Sequence, residues 1–457
     1  MGTLSGYRWL IVTGFVLAAA LVLESGLLAY AMYVLLGVMV FSRILARDWV
    51  GRLTASQNVS AREADVGDEI VVRVNVSNNG TIPVPWILLE HLLPPMALRQ
   101  KPPRLTIKGR RLKLAMLRGG GEVAISYRIV CDYRGFYQVG PLLTESGDLF
   151  GLHRRHRVAT EPVFLTVYPK VIPLSGYDIA SRRPIGEVRL THRLFEDPTR
   201  IAGVRPYQAG DPLNRVHWRA TARTGELHSK IYEPTSLAGA TILLDFHDAG
   251  YPAKGEPHRS ELAVTAAVSL AHAVATLGQQ VGLMTNGRDA AERLSALGHK
   301  LYSGPVDYQR RGDARQNAEM LSENDRLQPL IVPTANHSEQ FHYIRELLAR
   351  VELADGLPFA QFVIEITPRL PRDATVIAIL PHVPEQTALA LGNLRRSGFV
   401  VTVVLVMLDD DRLQKAIARL ASEGIRDARH LVGESSLSEL CQQSLYRGNP
   451  YSIVVDD

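Results

Sequence analysis

The chain has 457 residues, 46% of them hydrophobic and 21% charged; at roughly 100–200 residues per domain, this length excludes a single ordinary core and calls for two or three. Its two cysteines, Cys131 and Cys441, lie far apart in a strand-like and a helix-like run, which argues against a disulfide framework or a cysteine metal cluster and for a reducing compartment. The net charge of +5 hides a division, because residues 1–232 hold 30 Lys and Arg against 18 Asp and Glu while residues 233–457 hold 21 against 28. That asymmetry fits an amino-terminal half facing an anionic membrane surface, or one half docking on the other. It fits nucleic acid less well, since the basic half lacks aromatic-interleaved modules.

Residues 1–57 read as a transmembrane helical hairpin. Trp9 to Leu23 is uncharged and overwhelmingly apolar, Glu24-Ser25-Gly26 interrupts it, and Leu27 to Phe41 resumes it before Arg43, Arg47 and Arg52. Two short spans are feasible if Arg8 and Arg43 reach back to the interface. Arginines at both outer ends then put both ends, and the domains that follow, in the cytoplasm. The expectation is a multi-pass protein of the cell membrane with the lipid bilayer as a partner.

Residues 58–172 change to a period of two. Ile70, Val72, Val74 and Val76 alternate with polar or outward positions, and Val123, Ile125, Tyr127, Ile129 and Cys131 do the same after Gly119-Gly120-Gly121. With a turn signal at Asn78-Asn79-Gly80, this predicts a β-sandwich. Lys108, Arg110, Arg111, Lys113 and Arg118 form a basic cluster on a strand and its loop, either a guarded edge or a site for lipid headgroups or a partner.

Residues 173–239 read as a basic connector carrying the densest motif in the chain, RPYQAGDPLNRVHWRATARTGEL from Arg205 to Leu227. Asp211 before Pro212 is a good helix N-cap, and Thr224-Gly225 a stop. Between them Arg215, Arg219 and Arg223 share one face, and Leu213, Val216 and Ala220 another. Trp218, beside His217, needs cover for its ring, which predicts that the helix clasps a neighbouring domain while its arginines reach carboxylates. Glu226 to Tyr232 then alternates as a strand. A catalytic reading pairs His217 with Asp211 or Glu226, but no nucleophile stands at a recognisable spacing.

The pattern carried by Arg205, Tyr207, Gly210, Asp211, Val216, Trp218, Ala222, Arg223, Gly225 and Leu227 resembles the signature of the prokaryotic domain-of-unknown-function family fifty-eight. Asp132 to Gly140, Asp148 to Leu152 and Val167-Tyr168-Pro169 resemble it too. The resemblance implies a membrane-anchored protein with a β-rich domain and a von Willebrand factor A-like domain, associated with MoxR-type AAA+ ATPases. It implies no established activity.

Residues 240–457 alternate strand and helix, which predicts a doubly wound parallel sheet. Strands are expected at Ala240 to Phe246, Gln280 to Met284, Thr375 to Leu380, Val400 to Leu408 and Ala428 to Val432. Helices are expected over Glu261 to Leu277, with Ser260 as N-cap, and from about His337 to Leu353, Glu385 to Arg396, Asp411 to Ser422 and Ser436 to Leu445. Asn286 to Pro333 leaves room for an edge strand and a polar loop. A von Willebrand A fold places an Asp-x-Ser-x-Ser metal motif after its first strand; here those positions are Asp245, His247 and Ala249, so the set is degenerate and no metal or other cofactor is expected. Asp409-Asp410-Asp411 reads as a helix cap.

The fold expected is therefore multi-domain: transmembrane hairpin, β-sandwich, then a von Willebrand factor A-like α/β domain. The function expected is that of a membrane-anchored, non-enzymatic scaffold binding a protein partner, with a MoxR-type AAA+ ATPase or its substrate implied by the resemblance. The alternative is a hydrolase or transferase acting on an acidic or phosphorylated substrate through residues 205–227.

Overall fold

The computed structural model describes residues 5–24, 26–147, 154–174, 195–208, 216–235, 239–292, 305–308, 310–318, 328–371 and 374–440. The chain forms two compact units, each assembled from separate stretches. The first comprises Met1–Lys170, Arg288–Arg326 and Arg345–Glu352, and the second Val171–Gly287, Leu327–Ile344 and Leu353–Asp457.

In the first unit the period-two runs become strands with the faces expected. Ile70, Val72, Val74 and Val76 on Glu69–Asn78 are buried and lie opposite Ile129, Tyr127, Ile125 and Val123 on Glu122–Cys131. These two strands are the centre of a four-stranded antiparallel sheet edged by Leu53–Val59 and Leu105–Gly109. A five-stranded sheet runs in the order Val306–Tyr308, Arg154–Val158, Leu142–Gly147, Val84–His91, Leu112–Leu117. Residues of both sheets, among them Val74, Ile87, Leu89 and Leu142, share one core, so the arrangement is β-sandwich-like. Asn78-Asn79-Gly80 turns the chain from one sheet to the other rather than closing a two-stranded hairpin. Asn78 Nδ2 donates to the carbonyls of Ile82 and Arg118, at 2.9 and 3.1 Å.

Two features of this unit differ from expectation. The helices Ser5–Val22 and Gly26–Gly51 are present, but among the described residues no helix is long and apolar enough to cross a membrane, which overturns the transmembrane hairpin. Trp9 to Val22 and Gly26 to Ser42, the uncharged parts of the two helices, each fall short of the roughly 20 residues a span requires. The second difference concerns residues after Asn286. Val306–Tyr308 is an edge strand of the sandwich sheet, pairing with Arg154–Val158, and the helix Arg311–Ala318 packs Ala314 and Ala318 against Leu92, Leu143 and Val158.

The second unit is built on a six-stranded sheet in the order Leu330–Ala335, Gln280–Thr285, Gly239–Leu244, Ala374–Leu380, Val401–Val406, Ala428–Leu431. All neighbours are parallel except the first strand, which is antiparallel. Leu243, Val376, Ala378, Val403 and Leu405 face the helices Phe359–Ile366, Glu385–Arg396 and Asp410–Ser422 in one core. The helix His258–Thr276, buried along most of its length, packs on the same strands outside that core, so the sheet is covered on both faces, as parallel sheets must be. Its N-cap is Pro257 rather than Ser260; Ser260 lies in the first turn, where its hydroxyl donates to Glu256. Asp409 takes the N-cap position of Asp410–Ser422, with Asp410 and Asp411 in the first turn. Nothing beyond this doubly wound layer carries the narrower von Willebrand factor A-like assignment, which is withdrawn with the hairpin. The helix expected from Ser436 to Leu445 is described only over Glu434–Leu437, with residues from 441 onward outside the described residues.

Candidate functional site

The motif from Arg205 to Leu227 folds as an antiparallel ribbon whose connection carries a short helix. Phe195–Pro206 pairs with His228–Thr235, with Arg205 opposite Ser229 and Pro206 opposite His228. The Tyr207 amide donates to the Leu227 carbonyl at 2.8 Å, and the His217 amide to that of His228 at 2.8 Å. Gly210, Asp211 and Arg215 lie outside the described residues, and with them the expected cap at Asp211.

The helix described is Trp218–Thr224, and its N-cap is His217, whose Nδ1 accepts from the Ala220 amide at 3.0 Å. Gly225 ends it where expected: at φ 77° it takes the left-handed conformation that glycine adopts without strain, and its amide donates to the Thr221 carbonyl at 2.9 Å. The helix is tied inward by the buried Val216 and by Thr221, whose hydroxyl accepts from the His228 amide at 3.1 Å. Trp218 points the other way. Its ring is 68% exposed, against the expectation that it is covered, because Val216 and Thr221 already occupy the inner side of so short a helix. Arg219 and Arg223 are exposed beside it, and Arg205 is half-buried with its guanidinium donating to the Pro206 carbonyl at 3.2 Å. One exposed face thus presents an indole and two guanidinium groups.

A second cluster lies at the carboxyl ends of the parallel strands. The strand order reverses between Gly239–Leu244 and Ala374–Leu380, the place where doubly wound sheets open a crevice. Asp245 follows the first of these strands and His382 the second. Asp245 is buried; its Oδ1 accepts from Asn286 Nδ2 at 3.0 Å and from the His247 amide at 3.2 Å. Asn286 in turn accepts from the Phe246 amide at 2.7 Å and donates to the Leu357 carbonyl at 3.0 Å, so it locks the turn after the strand. Burial pushes the Asp245 carboxyl up against the opposing pull of the Asn286 hydrogen bond. It pushes the His382 imidazole down, against the attraction of Asp245 and aided by the charges of His247, Arg259 and Arg412. Both groups are therefore biased towards their neutral forms.

Nor does the arrangement suit a hard divalent cation. His247 Nδ1 accepts from the Ala249 amide at 3.2 Å and lies 3.1 Å from Asp248, while Ala249 offers no ligand atom. Among the described residues no three ligating side chains gather closely enough to hold a metal. Sequence reasoning missed Asn286, and only its position after the second strand, level with Asp245, hinted at it. Arg259 donates to the Met407 carbonyl across this rim, and no motif marked that pairing.

The comparisons with known proteins agree with the motif. Residues 203–298 match the family model described as "Protein of unknown function DUF58". Over 295 residues the chain is 23% identical to "Uncharacterized protein YeaD" of Bacillus subtilis (strain 168), covering 62% of this chain and 71% of that protein. Among solved structures, the CARDB domain of the PF1109 protein from Pyrococcus furiosus is similar over 25% of this chain and 86% of its own, at 15% identity and a TM-score of 0.17. Proximal thread matrix protein 1 from the mussel byssus is similar over 45% of this chain and 46% of its own, at 10% identity and a TM-score of 0.25. At such scores these likenesses carry no argument. The region from 203 to 298, which begins two residues before Arg205 and takes in the end of the ribbon's first strand, its helix, its second strand and the first strands of the parallel sheet, is a DUF58 domain, of a family whose function is unknown.

Proposed function

We propose that the protein is a non-enzymatic scaffold, held at a lipid surface, that captures a protein partner on the helix Trp218–Thr224. The observation that carries this reading is the exposure of Trp218, at 68%, beside the exposed Arg219 and Arg223 on a helix fixed at both ends by His217 and Gly225. Trp and Arg dominate binding hot spots, and a preorganised helix loses little freedom when it docks. Attachment to lipid is supported by the first two helices, where the apolar Phe15, Val22, Leu27 and Tyr30 are 72–90% exposed, and large exposed apolar side chains gathered on neighbouring helices call for cover. The partner proposed, on the family resemblance, is a MoxR-type AAA+ ATPase or its substrate, meeting the arginines with carboxylates.

Binding of a purified MoxR-type ATPase from the same organism to the full chain in lipid nanodiscs tests this. Trp218→Ala should weaken it about 30-fold, the effect of losing a hot-spot side chain worth about 2 kcal/mol. Equal binding by the wild type and the variant would remove the helix from the interface. In the alternative reading His217 acts as a base, but its Nδ1 is engaged with the Ala220 amide and Asp211 lies outside the described residues.

A further inference from the structure

The outer edge of the five-stranded sheet carries a surface that the scaffold reading does not use. Among the described residues Leu112–Leu117 is the last strand in that sheet, paired only with Val84–His91. Its alternate residues face opposite ways. Leu117 is buried in the core and Ala115 packs against it, so Leu112, Leu114 and Met116 point outward, at 48%, 67% and 70% exposure. Leu88, opposite Leu114 on the next strand, extends the same apolar face. Side chains exposed to this degree form a ridge rather than line a groove, and a ridge of leucines and methionine on an edge strand is ordinarily an association hazard.

Cations flank this ridge. Arg110 and Arg118, in step with the ridge positions, are exposed, whereas Lys108 and Arg111 are engaged by Glu69 at 2.5 Å and Glu90 at 3.9 Å, and Lys113, in step with Ala115 on the other face, donates to the Ala124 carbonyl at 2.9 Å. The end of the strand bearing Met116 and Arg118 is also the end at which the helix Gly26–Gly51 enters the sandwich. The Asn79 amide donates to the Arg52 carbonyl at 3.1 Å, and the neighbouring Asn78 side chain to the Arg118 carbonyl at 3.1 Å. Exposure of the ridge increases towards that end.

We propose that Leu112, Leu114 and Met116, with Arg110 and Arg118, form a second lipid-contact surface that inserts its ridge at the interface and selects anionic headgroups. The occupant follows from shape and charge: a protruding apolar ridge between cations has no concavity for a peptide, but it fits a deformable surface that takes apolar side chains below a negative layer. This inference rests on the reading that the first two helices lie at a lipid surface.

The test uses the full chain on vesicles of phosphatidylcholine, alone or with phosphatidylglycerol. An environment-sensitive fluorophore is placed by Met116→Cys in a Cys441→Ser background, Cys131 being buried. A second probe at Leu27→Cys reports the helices independently. The expected result is a blue shift at position 27 in both lipids, but at 116 only with phosphatidylglycerol, quenched by brominated lipid and lost in Arg110→Gln/Arg118→Gln. A blue shift at 27 with position 116 in water throughout would overturn this inference and leave the scaffold reading intact. A water-like signal at both positions would overturn both. A blue shift at 116 without vesicles, or one indifferent to headgroup charge, would replace the lipid by a protein surface or by unselective burial and so also overturn it.

Discussion

At the scale of single residues, burial decides chemistry that composition leaves open. His91 is fully buried, with Nδ1 2.5 Å from the Tyr127 hydroxyl and Nε2 2.8 Å from Gln57 Oε1, and burial, with the charge of Arg111, holds its pKa down to about 4. Since the unfolded imidazole titrates near 6.5, the unfolded chain binds more protons between these values. The contribution is therefore complete above pH 6.5 and lost as pH falls towards 4, to the extent of about 3 kcal/mol. Urea denaturation followed by tryptophan fluorescence at pH 7 and pH 4.5 should show this slope, and His91→Gln should flatten it. Trp218 gives the opposite case: Trp218→Ala should change stability by less than about 0.5 kcal/mol, as for surface positions generally, and a fall of several kcal/mol in the denaturation midpoint would restore the buried clasp.

At the scale of elements, periodicity was legible and pairing was not. Ile70, Val72, Val74 and Val76 announced their shared face by spacing alone, but that their strand meets Glu122–Cys131 and Leu53–Val59 is fixed by chain reversal over long separations. An edge strand was expected somewhere between Asn286 and Pro333, but its place at Leu330–Ala335 was not legible, because antiparallel pairing with Gln280–Thr285 depends on a close approach at Gly282. A Cβ on Gly282 would lie 2.8 Å from both the Cα and the backbone nitrogen of Thr334. Gly282→Ala should therefore displace the edge strand and cost about 1–3 kcal/mol, the usual range for overpacking. Faster amide exchange over residues 330–335, with the neighbouring strand Gly239–Leu244 still protected, is the expected signature.

At the scale of the molecule, the first unit is discontinuous in sequence. Arg311 and Arg315, on a stretch that follows the second strand of the parallel sheet, reach Glu90 in the sandwich; Arg311 Nη2 lies 2.5 Å from Glu90 Oε2 and Arg315 bonds the other oxygen. Burial pushes the Glu90 carboxyl up, but the hydrogen bonds and charges of the two arginines outweigh it and hold it below the usual range. Its contribution is thus present at neutral pH and lost in acid. Arg311→Ala/Arg315→Ala leaves the buried Glu90 carboxylate with the looser 3.9 Å contact to Arg111 in place of its two close arginines and should cost about 3–5 kcal/mol, read as a lower midpoint reported by Trp49 and Trp86. Glu90→Gln combined with the double variant should recover part of that loss, because it removes the stranded charge.

The sequence by itself determined the local periods, the boundaries of most strands and helices in the α/β layer, the glycine stop at Gly225 and the motif that marks the DUF58 domain, because each depends on residues within a few positions of one another. Tertiary structure alone decided that Trp218 faces outward, that Arg311 and Arg315 serve Glu90, and that Asp245, Asn286 and His382 meet at the strand ends. These outcomes depend on which surfaces remain after the cores are packed, and that is set by contacts between residues far apart in the chain. The misread hairpin shows the same limit. Apolar character was plain in the sequence, but Arg8 and the charges from Arg43 onward shorten the uncharged part of each helix below what a span requires.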